Sequence, residues 1–208
     1  MAYSFKKEQK DLYNLGKRPM VIDVPAMNYL AVRGHGDPNE INGEYQQSLQ
    51  LLYPVAYTIK MSKKGDHHIP GYFDFVVPPL EGYWWQDGVK GVDYQHKERF
   101  NFISMIRLPD FVDQATFDWA IQTAQAKKGV DFSKVEFLPQ HEGLCVQVLH
   151  VGSYDNEPAT VAKLHDFIAQ KGLQLDINDH RHHHELYLSD PRRTQEANLK
   201  TVLRLPVK

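Results

Sequence analysis

The sequence predicts an α+β fold made of two copies of a strand-helix-strand-strand unit. The chain has 208 residues, 42% of them hydrophobic and 24% charged, so it can bury a sizeable core by itself. Apolar spacing predicts the order strand, helix, strand, strand twice. The segments 106–109 and 203–206 read Ile-Arg-Leu-Pro and Leu-Arg-Leu-Pro, and each closes one half of the chain. These observations favour an internal duplication.

The first half follows a polar arm, residues 1–18, that we expect to pack on the body of the protein. Residues 27–32 have the apolar character of a strand. Residues 37–40, Asp-Pro-Asn-Glu, predict a helix start with an N-cap, a first-turn proline and a capping-box glutamate. Apolar spacing extends this helix past Pro54 to about residue 61. The next strand is predicted at residues 72–77, broken by Pro78-Pro79 and resumed at 81–85, and a further strand follows at 100–108.

The second half repeats this order after a connecting helix that begins near Asp113 and ends at Gly129. A strand at 144–151 precedes a helix opened by Pro158 and closed by Gly172. Two further strands are predicted at residues 185–188 and 201–205. We therefore expect one domain at residues 19–208, with repeats at about 20–110 and 130–208.

A single unit has only one helix to cover its sheet, so two units side by side make a more stable arrangement. We expect a curved, mainly antiparallel sheet with helices on one face and a composite ligand cleft between the halves. Twofold placement makes the strands that carry Trp84 and Glu185 equivalent, so both should converge on this cleft.

Charge and apolar content exclude several classes of partner. The chain has 24 basic and 26 acidic side chains, so no basic excess supports nucleic-acid binding. Residues 1–7 lack the apolar stretch of a signal peptide, and no run approaches the roughly 20 apolar residues that span a bilayer. We expect a cytoplasmic protein without a membrane partner. The single cysteine, Cys145, lies among apolar residues and should be buried and inert.

Three segments carry a family resemblance. Residues 52–60 (Leu-Tyr-Pro-Val-Ala-Tyr-Thr-Ile-Lys), 79–85 (Pro-Leu-Glu-Gly-Tyr-Trp-Trp) and 184–191 (His-Glu-Leu-Tyr-Leu-Ser-Asp-Pro) together resemble the GyrI-like small-molecule-binding family. The resemblance extends from about Met20 to the C-terminus and implies the same duplicated fold. Members serve as effector domains of drug-sensing transcription regulators. Stand-alone members with Leu-Glu-Gly-x-Trp-Trp resemble hydrolases of cyclopropane-bearing genotoxic natural products.

The hydrolase interpretation is favoured here, because the first strand begins within thirty residues and leaves no place for a DNA-binding helix-turn-helix. It implies water addition to the electrophilic cyclopropane of planar aromatic, DNA-alkylating compounds, a detoxification that needs no cofactor. The alternative is a non-catalytic binding or sensing module for flat lipophilic or cationic ligands, which aromatic walls and an acidic floor would also suit.

Glu185 is the predicted catalytic base. On a strand, His183 and Tyr187 share its side of the pleat. From the residues alone an exposed strand glutamate is the commoner interpretation. The resemblance reverses that preference, because the glutamate of the family's Glu-x-Tyr feature faces the ligand. We therefore predict that Glu185 removes a proton from water and that His183 and Tyr187 contact the substrate.

Three consecutive rings, Tyr83, Trp84 and Trp85, are predicted to bind substrate. Rings that flank a cleft can sandwich a flat ligand, and burial of each ring contributes on the order of a few kcal/mol. Alternation places Trp84 on one face and the other two rings on the opposite face, and core packing is the alternative for at least one of them.

Tyr57 is the second predicted catalytic residue. It lies beyond Pro54 on the helix, from which its hydroxyl could hydrogen-bond a ligand carbonyl. The alternative is a tyrosine that spans core and surface. Tyr53 shares the same helix face at i, i+4 and is predicted to bind substrate as well.

The histidines of residues 180–184 could bind a metal, because His182 and His184 share a face of the predicted strand. No cysteine or second cluster completes a four-ligand zinc site, so we predict no physiological metal and expect only adventitious nickel binding.

Overall fold

Six antiparallel strands close into a barrel in the computed structural model, which describes residues 2–89 and 91–208. The strands are β1 (Met20–His35), β2 (Leu80–Trp85), β3 (Asn101–Arg107), β4 (Glu136–Val151), β5 (His183–Tyr187) and β6 (Lys200–Pro206). Their order around the barrel is β1-β3-β2-β5-β6-β4.

Five helices accompany the barrel: α1 (Phe5–Glu8), α2 (Lys10–Tyr13), α3 (Glu44–Met61), α4 (Gln114–Lys128) and α5 (Glu157–Gln170). The two long repeat helices occupy equivalent positions, because α3 packs on β1 and β3 while α5 packs on β4 and β6. Helix α4 packs against α3.

The strand pairing confirms the duplication. The triplet β1-β3-β2 of the first half matches β4-β6-β5 of the second, and the two strands with the Arg-Leu-Pro sequence are the middle strands of these triplets. The triplets meet twice, where β1 pairs with β4 and where β2 pairs with β5.

The expected curved sheet is instead a closed barrel. Strands β1 and β4 are each 16 residues long, twice or more the predicted length, and they pair from Met20↔Gln147 to Ala31↔Glu136. This pairing joins the edges that an open sheet would leave exposed.

Helix α3 begins later than the predicted start at residues 37–40. The Asp37 carboxylate accepts the backbone N–H of Asn39 at 2.8 Å, a local Asx turn instead of a helix cap. Asn42 has a positive φ of 59°, which interrupts any helix there. From Glu44 the helix continues through Pro54 to Met61.

The predicted strand at residues 72–77 does not join the barrel. Its one ladder contact is an isolated bridge between Phe75 and Tyr3 of the N-terminal arm. The backbone N–H of Tyr3 donates to Asp74, and that of Val76 donates to Tyr3. This segment therefore attaches the arm to the body.

A network of opposite charges lies on the inner face of the barrel. His184 Nδ1 is 3.1 Å from Glu142, and Arg204 Nη1 donates to the same carboxylate at 2.9 Å. His184 Nε2 is 3.1 Å from Glu81, which also accepts the hydroxyl of Tyr13 from the arm at 3.3 Å. Burial opposes ionisation of Glu142, but the charges of His184 and Arg204 outweigh it and lower its pKa to about 2.

Candidate functional site

A cavity of about 1200 Å³ lies on the outer face of the barrel, where strands β2 and β5 pair. Both halves of the chain line this cavity, as expected for the predicted composite cleft. The first half supplies Tyr45 of α3 and Trp84 of β2, and the second half supplies Glu157 of α5 with Glu185 and Tyr187 of β5.

Glu185 is a buried, hydrogen-bonded acid of the cavity. Strand alternation places His183, Glu185 and Tyr187 on one face of β5. The Tyr187 hydroxyl donates to Glu185 Oε2 at 2.8 Å, and His183 Nε2 lies 3.0 Å from Oε1. The Trp84 indole N–H donates to the Tyr187 oxygen at 2.8 Å. These contacts hold one carboxyl group, only 7% exposed, in a fixed orientation.

Gly82 leaves room for the hydrogen bond between the Trp84 indole and the Tyr187 hydroxyl. It pairs with Glu185 across the two strands, on the face that carries Trp84. A Cβ at this position would lie 2.8 Å from the Trp84 Nε1 and 3.3 Å from the Tyr187 hydroxyl. The glycine of Leu-Glu-Gly-Tyr-Trp-Trp therefore leaves the space in which the indole meets the phenol.

Glu157 places a second carboxyl beside the first. It is the first residue of α5, where Pro158 suits the first helical turn, and it is only 1% exposed. Burial and the neighbouring charge of Glu185 raise the pKa of Glu157 well above its usual range. Its Oε1 has no hydrogen-bond partner among the described residues. The raised pKa means that Glu157 keeps its proton beside Glu185.

Three further phenols surround the carboxyl pair. Burial, followed by the charge of Glu185, raises the pKa of Tyr45 and of Tyr94 above the usual tyrosine range. Burial together with Glu157 and Glu185 raises the pKa of Tyr154 to about 12. All three therefore remain neutral and can donate a hydrogen bond at physiological pH.

Aromatic rings form the apolar wall. Trp84 is the centre of this wall, with ring centroids 5.4 Å from Tyr45, 5.5 Å from Phe100 and 5.6 Å from Phe102. Such distances and tilted orientations are those of favourable aromatic packing. A flat ligand entering the cavity would meet rings on one side and the carboxyl pair on another.

The family model of the GyrI-like small molecule binding domain matches residues 17–208. The chain belongs to this family. The match covers nearly the whole sequence, so the family's description applies to the fold and cavity together: GyrI-like domains bind small molecules.

Solved structures extend the comparison. An uncharacterised conserved protein from Listeria innocua is 47% identical over 99% of this chain and 100% of its own, with a TM-score of 0.93. A hydrolase from Listeria innocua is 46% identical over 99% and 100%, with a TM-score of 0.89. The C-terminal domain of EcmrR, at 14% identity, 92% and 97% coverage and a TM-score of 0.54, shares the fold. No curated protein sequence is significantly similar to the chain.

Three of the six residues predicted to bind substrate line the cavity of this GyrI-like domain. Trp84, Tyr187 and Tyr53 line it, beside the predicted base Glu185. His183 reaches the site through its contact with that carboxylate.

Tyr57 also lines the cavity, but its side chain is 49% exposed and borders a neighbouring groove of about 590 Å³. It therefore lies at the outer end of the site. The phenols that experience the charge of Glu185 come from elsewhere: Tyr45, Tyr94, Tyr154 and Tyr187.

Tyr83 and Trp85 lie on the opposite face of β2 and do not line this cavity. The Tyr83 ring is 4.5 Å from that of His184, and Trp85 stacks on His182 at 4.2 Å. The pleat of the strand, which puts Trp84 outward, directs its two neighbours to the inner face. Their predicted substrate contact has no counterpart in this arrangement.

The histidine tract is divided between the two faces of β5, because His184 joins the inner ion network while His183 contacts Glu185. Burial, with a smaller effect of Arg33, lowers the pKa of His182 to about 4. Within the described ranges, no group of three or more histidine, cysteine, aspartate or glutamate side chains is arranged to hold a metal ion. Cys145 is buried, as expected, and burial raises its pKa.

The sequence analysis missed Glu157, Tyr94 and Tyr154 as site residues. Glu157 and Tyr154 lie where β4 leads into α5, at the pseudo-equivalent of residues 37–40. An acidic residue before Pro158 looks like an ordinary first-turn glutamate, so only its repeat position could have indicated a role.

No helix in residues 2–89 or 91–208 has the length and apolar character needed to cross a membrane.

Proposed function

We propose that this GyrI-like domain is a hydrolase that adds water to the electrophilic cyclopropane of planar aromatic, DNA-alkylating compounds. One observation carries the proposal: Glu185, held by Tyr187 and His183, lies beside Glu157, whose pKa is raised well above its usual range, in an aromatic cavity. A pair of carboxyls whose environments separate their protonation states supplies a base and an acid at one place.

The proposed step begins with water between Glu185 and the ring carbon. The water oxygen bonds to the cyclopropane CH₂, and Glu185 takes one water proton. The ring C–C bond breaks, and its electron pair moves into the conjugated carbonyl, whose oxygen becomes anionic and takes a proton from a neighbouring acid. Substrate and one water thus give a single product that carries a primary alcohol and a phenol. This product cannot alkylate DNA, so the benefit would be detoxification.

Each surrounding group has a definable part in this step. Tyr187 and His183 orient the Glu185 carboxylate, and Trp84 holds the flat body of the substrate. Glu157 keeps the pair at one negative charge, so the base can accept a proton without a second charge beside it. Tyr57 remains the predicted donor to the carbonyl oxygen. The reaction needs no cofactor.

The comparisons support the hydrolase class. Two solved structures of hydrolases from Listeria innocua, each 46% identical to this chain, cover 99% and 100% of it. Identity at this level over the full length favours the same class of reaction here. The cyclopropane substrate comes from the chemistry of the site and the resemblance of the Leu-Glu-Gly-Tyr-Trp-Trp segment.

The test is incubation of the purified protein with a cyclopropane-bearing DNA alkylator. Mass spectrometry should detect a product with one added water, formed faster than in buffer. Glu185→Gln should lose at least about 100-fold in kcat, the usual contribution of a general base. Glu136→Gln is the matched control, because Glu136 is a strand glutamate that pairs on the surface with Arg33. If water adds to the alkylator no faster with the parent protein than in buffer alone, the proposed hydrolase activity is rejected.

The alternative function is storage or sensing of flat cations, and the buried carboxyl pair under aromatic rings favours it specifically. A cationic aromatic dye separates the two functions. Tight binding of the dye with every tested alkylator returned unchanged after long incubation would favour sensing over hydrolysis.

A further inference from the structure

Among the described phenols that line the cavity, Tyr94 is the one whose hydroxyl is both buried and without a partner. Its hydroxyl is buried and has no hydrogen-bond partner among the described residues. The Tyr187 hydroxyl already donates to Glu185 and accepts from Trp84, and Tyr45 is hydrogen-bonded to Tyr187. A buried hydroxyl without a partner costs about 1–3 kcal/mol, so its retention requires an explanation.

The position of Tyr94 is fixed by a dedicated side chain. Gln86 is only 4% exposed and uses its whole carboxamide on the segment that carries Tyr94. Its oxygen accepts the backbone N–H of Asp93 at 2.6 Å, and its nitrogen donates to the carbonyls of Asp93 at 3.0 Å and His96 at 2.9 Å. Tyr94 therefore directly follows Asp93, whose backbone is held by Gln86.

The same segment is tied to the other half of the chain. Lys97 forms an ion pair with Asp155 at 2.7 Å, next to Tyr154 and close in sequence to Glu157. Tyr94 also packs edge-on against Phe100 of the aromatic wall. These contacts set the phenol on the cavity lining that it shares with Glu157 and Glu185.

We propose that Tyr94 is the residue that donates a hydrogen bond to an acceptor oxygen of the ligand, across the cavity from Glu185. The ligand class is then a flat aromatic compound with a carbonyl oxygen. The catalytic part of this inference rests on the proposed function: Tyr94 stabilises the oxygen that becomes anionic as the cyclopropane opens, and passes its proton to it. The phenol regains that proton from the protonated Glu185, which closes the cycle.

This assignment replaces Tyr57 in that role. Tyr57 is half exposed, so water competes for its hydroxyl and screens any charge that it stabilises. A buried, anchored donor has no such competition. It also gains a partner only when a ligand binds, which is the arrangement expected of an oxyanion donor.

Tyr94→Phe is the test, because it removes one oxygen and keeps the ring. We expect kcat on a cyclopropane alkylator to fall about 100-fold or more, the usual effect of losing one oxyanion donor. The melting temperature should stay equal or rise, since the variant loses an unpartnered buried group. Tyr72→Phe is the matched control, because the Tyr72 hydroxyl donates to the Lys60 carbonyl away from the cavity. A kcat for Tyr94→Phe within about twofold of the parent, or a large loss in Tyr57→Phe alone, overturns the catalytic assignment.

A binding experiment separates this inference from the proposed hydrolysis. Fluorene and 9-fluorenone are flat tricyclic probes of similar size that differ by one carbonyl, and tryptophan quenching can report the binding of each. The parent should prefer fluorenone by about 3- to 10-fold, the effect of one hydrogen bond. Tyr94→Phe should bind both probes equally, whether or not any alkylator is hydrolysed. A preference that persists in Tyr94→Phe, or is absent in the parent, overturns the donor assignment.

Discussion

Gly82→Ala tests whether the close approach of Trp84 to Tyr187 is built into the strand. The new Cβ would lie 2.8 Å from the Trp84 Nε1, a distance that side chains do not tolerate. The neighbouring backbone belongs to two paired strands and cannot move easily. The indole must therefore shift away from the phenol, and its 2.8 Å hydrogen bond to Tyr187 is lost.

The expected loss has two parts. The hydrogen bond contributes about 0.5–1.5 kcal/mol net, and overpacking a tight site costs about 1–3 kcal/mol. Their sum is about 1.5–4.5 kcal/mol, which lowers Tm by roughly 3–18 °C in a chain of this size. Trp84 is also the centre of the aromatic wall, so affinity for flat ligands should fall with stability.

Thermal melts of Gly82→Ala and Gly16→Ala form the assay. Gly16 is the control, because no described atom lies within 4 Å of a Cβ placed there. Trp84→Phe supplies a second test, since phenylalanine lacks the indole nitrogen that meets the new methyl group. In that background Gly82→Ala should cost at least about 1 kcal/mol less, which a double-mutant cycle measures. If Gly82→Ala and Gly16→Ala have the same melting temperature, Gly82 is not needed for the close approach of Trp84 to Tyr187.

Two further predictions concern single contacts. Glu185→Gln should melt at or above the parent temperature at pH 7 while turnover falls, because the change removes a buried acid that lies beside a second buried carboxyl group, Glu157; a strongly lowered Tm would instead make Glu185 a structural partner of His183. Tyr13→Phe should lower stability by about 1–3 kcal/mol, because it leaves a buried oxygen of Glu81 without its hydroxyl partner. Urea unfolding measures the second effect, and a change below about 0.5 kcal/mol would contradict it.

The duplication could be predicted from sequence, but the closure of the barrel could not. Helix and strand periodicities are local, and the repeated Arg-Leu-Pro segments indicated equivalent strands. Closure depends on the pairing of β1 with β4. The first residues of β1, 20–26, are mostly exposed and show no clear apolar alternation. Pairing between distant, exposed strand ends leaves no periodic signal.

The candidate site shows the same division. Glu185 and Trp84 could be proposed because a recognisable local segment surrounds each. Glu157 becomes unusual only when the fold places it against Glu185, which no local pattern encodes. Trp85 shows that a large aromatic ring next to a site residue need not belong to the site. Strand alternation places it on the opposite face of the sheet from Trp84, where it stacks on His182.

Two buried glutamates respond to their surroundings in opposite directions. Glu142 on the inner face lies between His184 and Arg204, and these charges, which outweigh its burial, lower its pKa from 4.5 to about 2. Glu157 on the outer face lies beside Glu185, and burial and that charge raise its pKa well above 4.5. The inner glutamate is thus held ionised by partners, whereas the outer one is kept protonated by a like charge. This difference predicts opposite effects of one substitution at the two positions.

Glu142→Gln should destabilise the protein by about 3–5 kcal/mol at pH 7, because Arg204 and His184 lose their counter-charge inside the barrel. The stability from Glu142 is present above pH 4.5 and lost as pH falls toward 2, so this deficit should shrink in acid. Glu157 contributes stability below pH 4.5 and loses it as pH rises, so Glu157→Gln should gain on the parent with increasing pH. Urea unfolding at pH 4, 6 and 8 measures both trends. If both variants shift stability in the same direction at pH 8, the outer glutamate is a structural residue, and the acid-base pair on which the proposed hydrolysis depends does not exist.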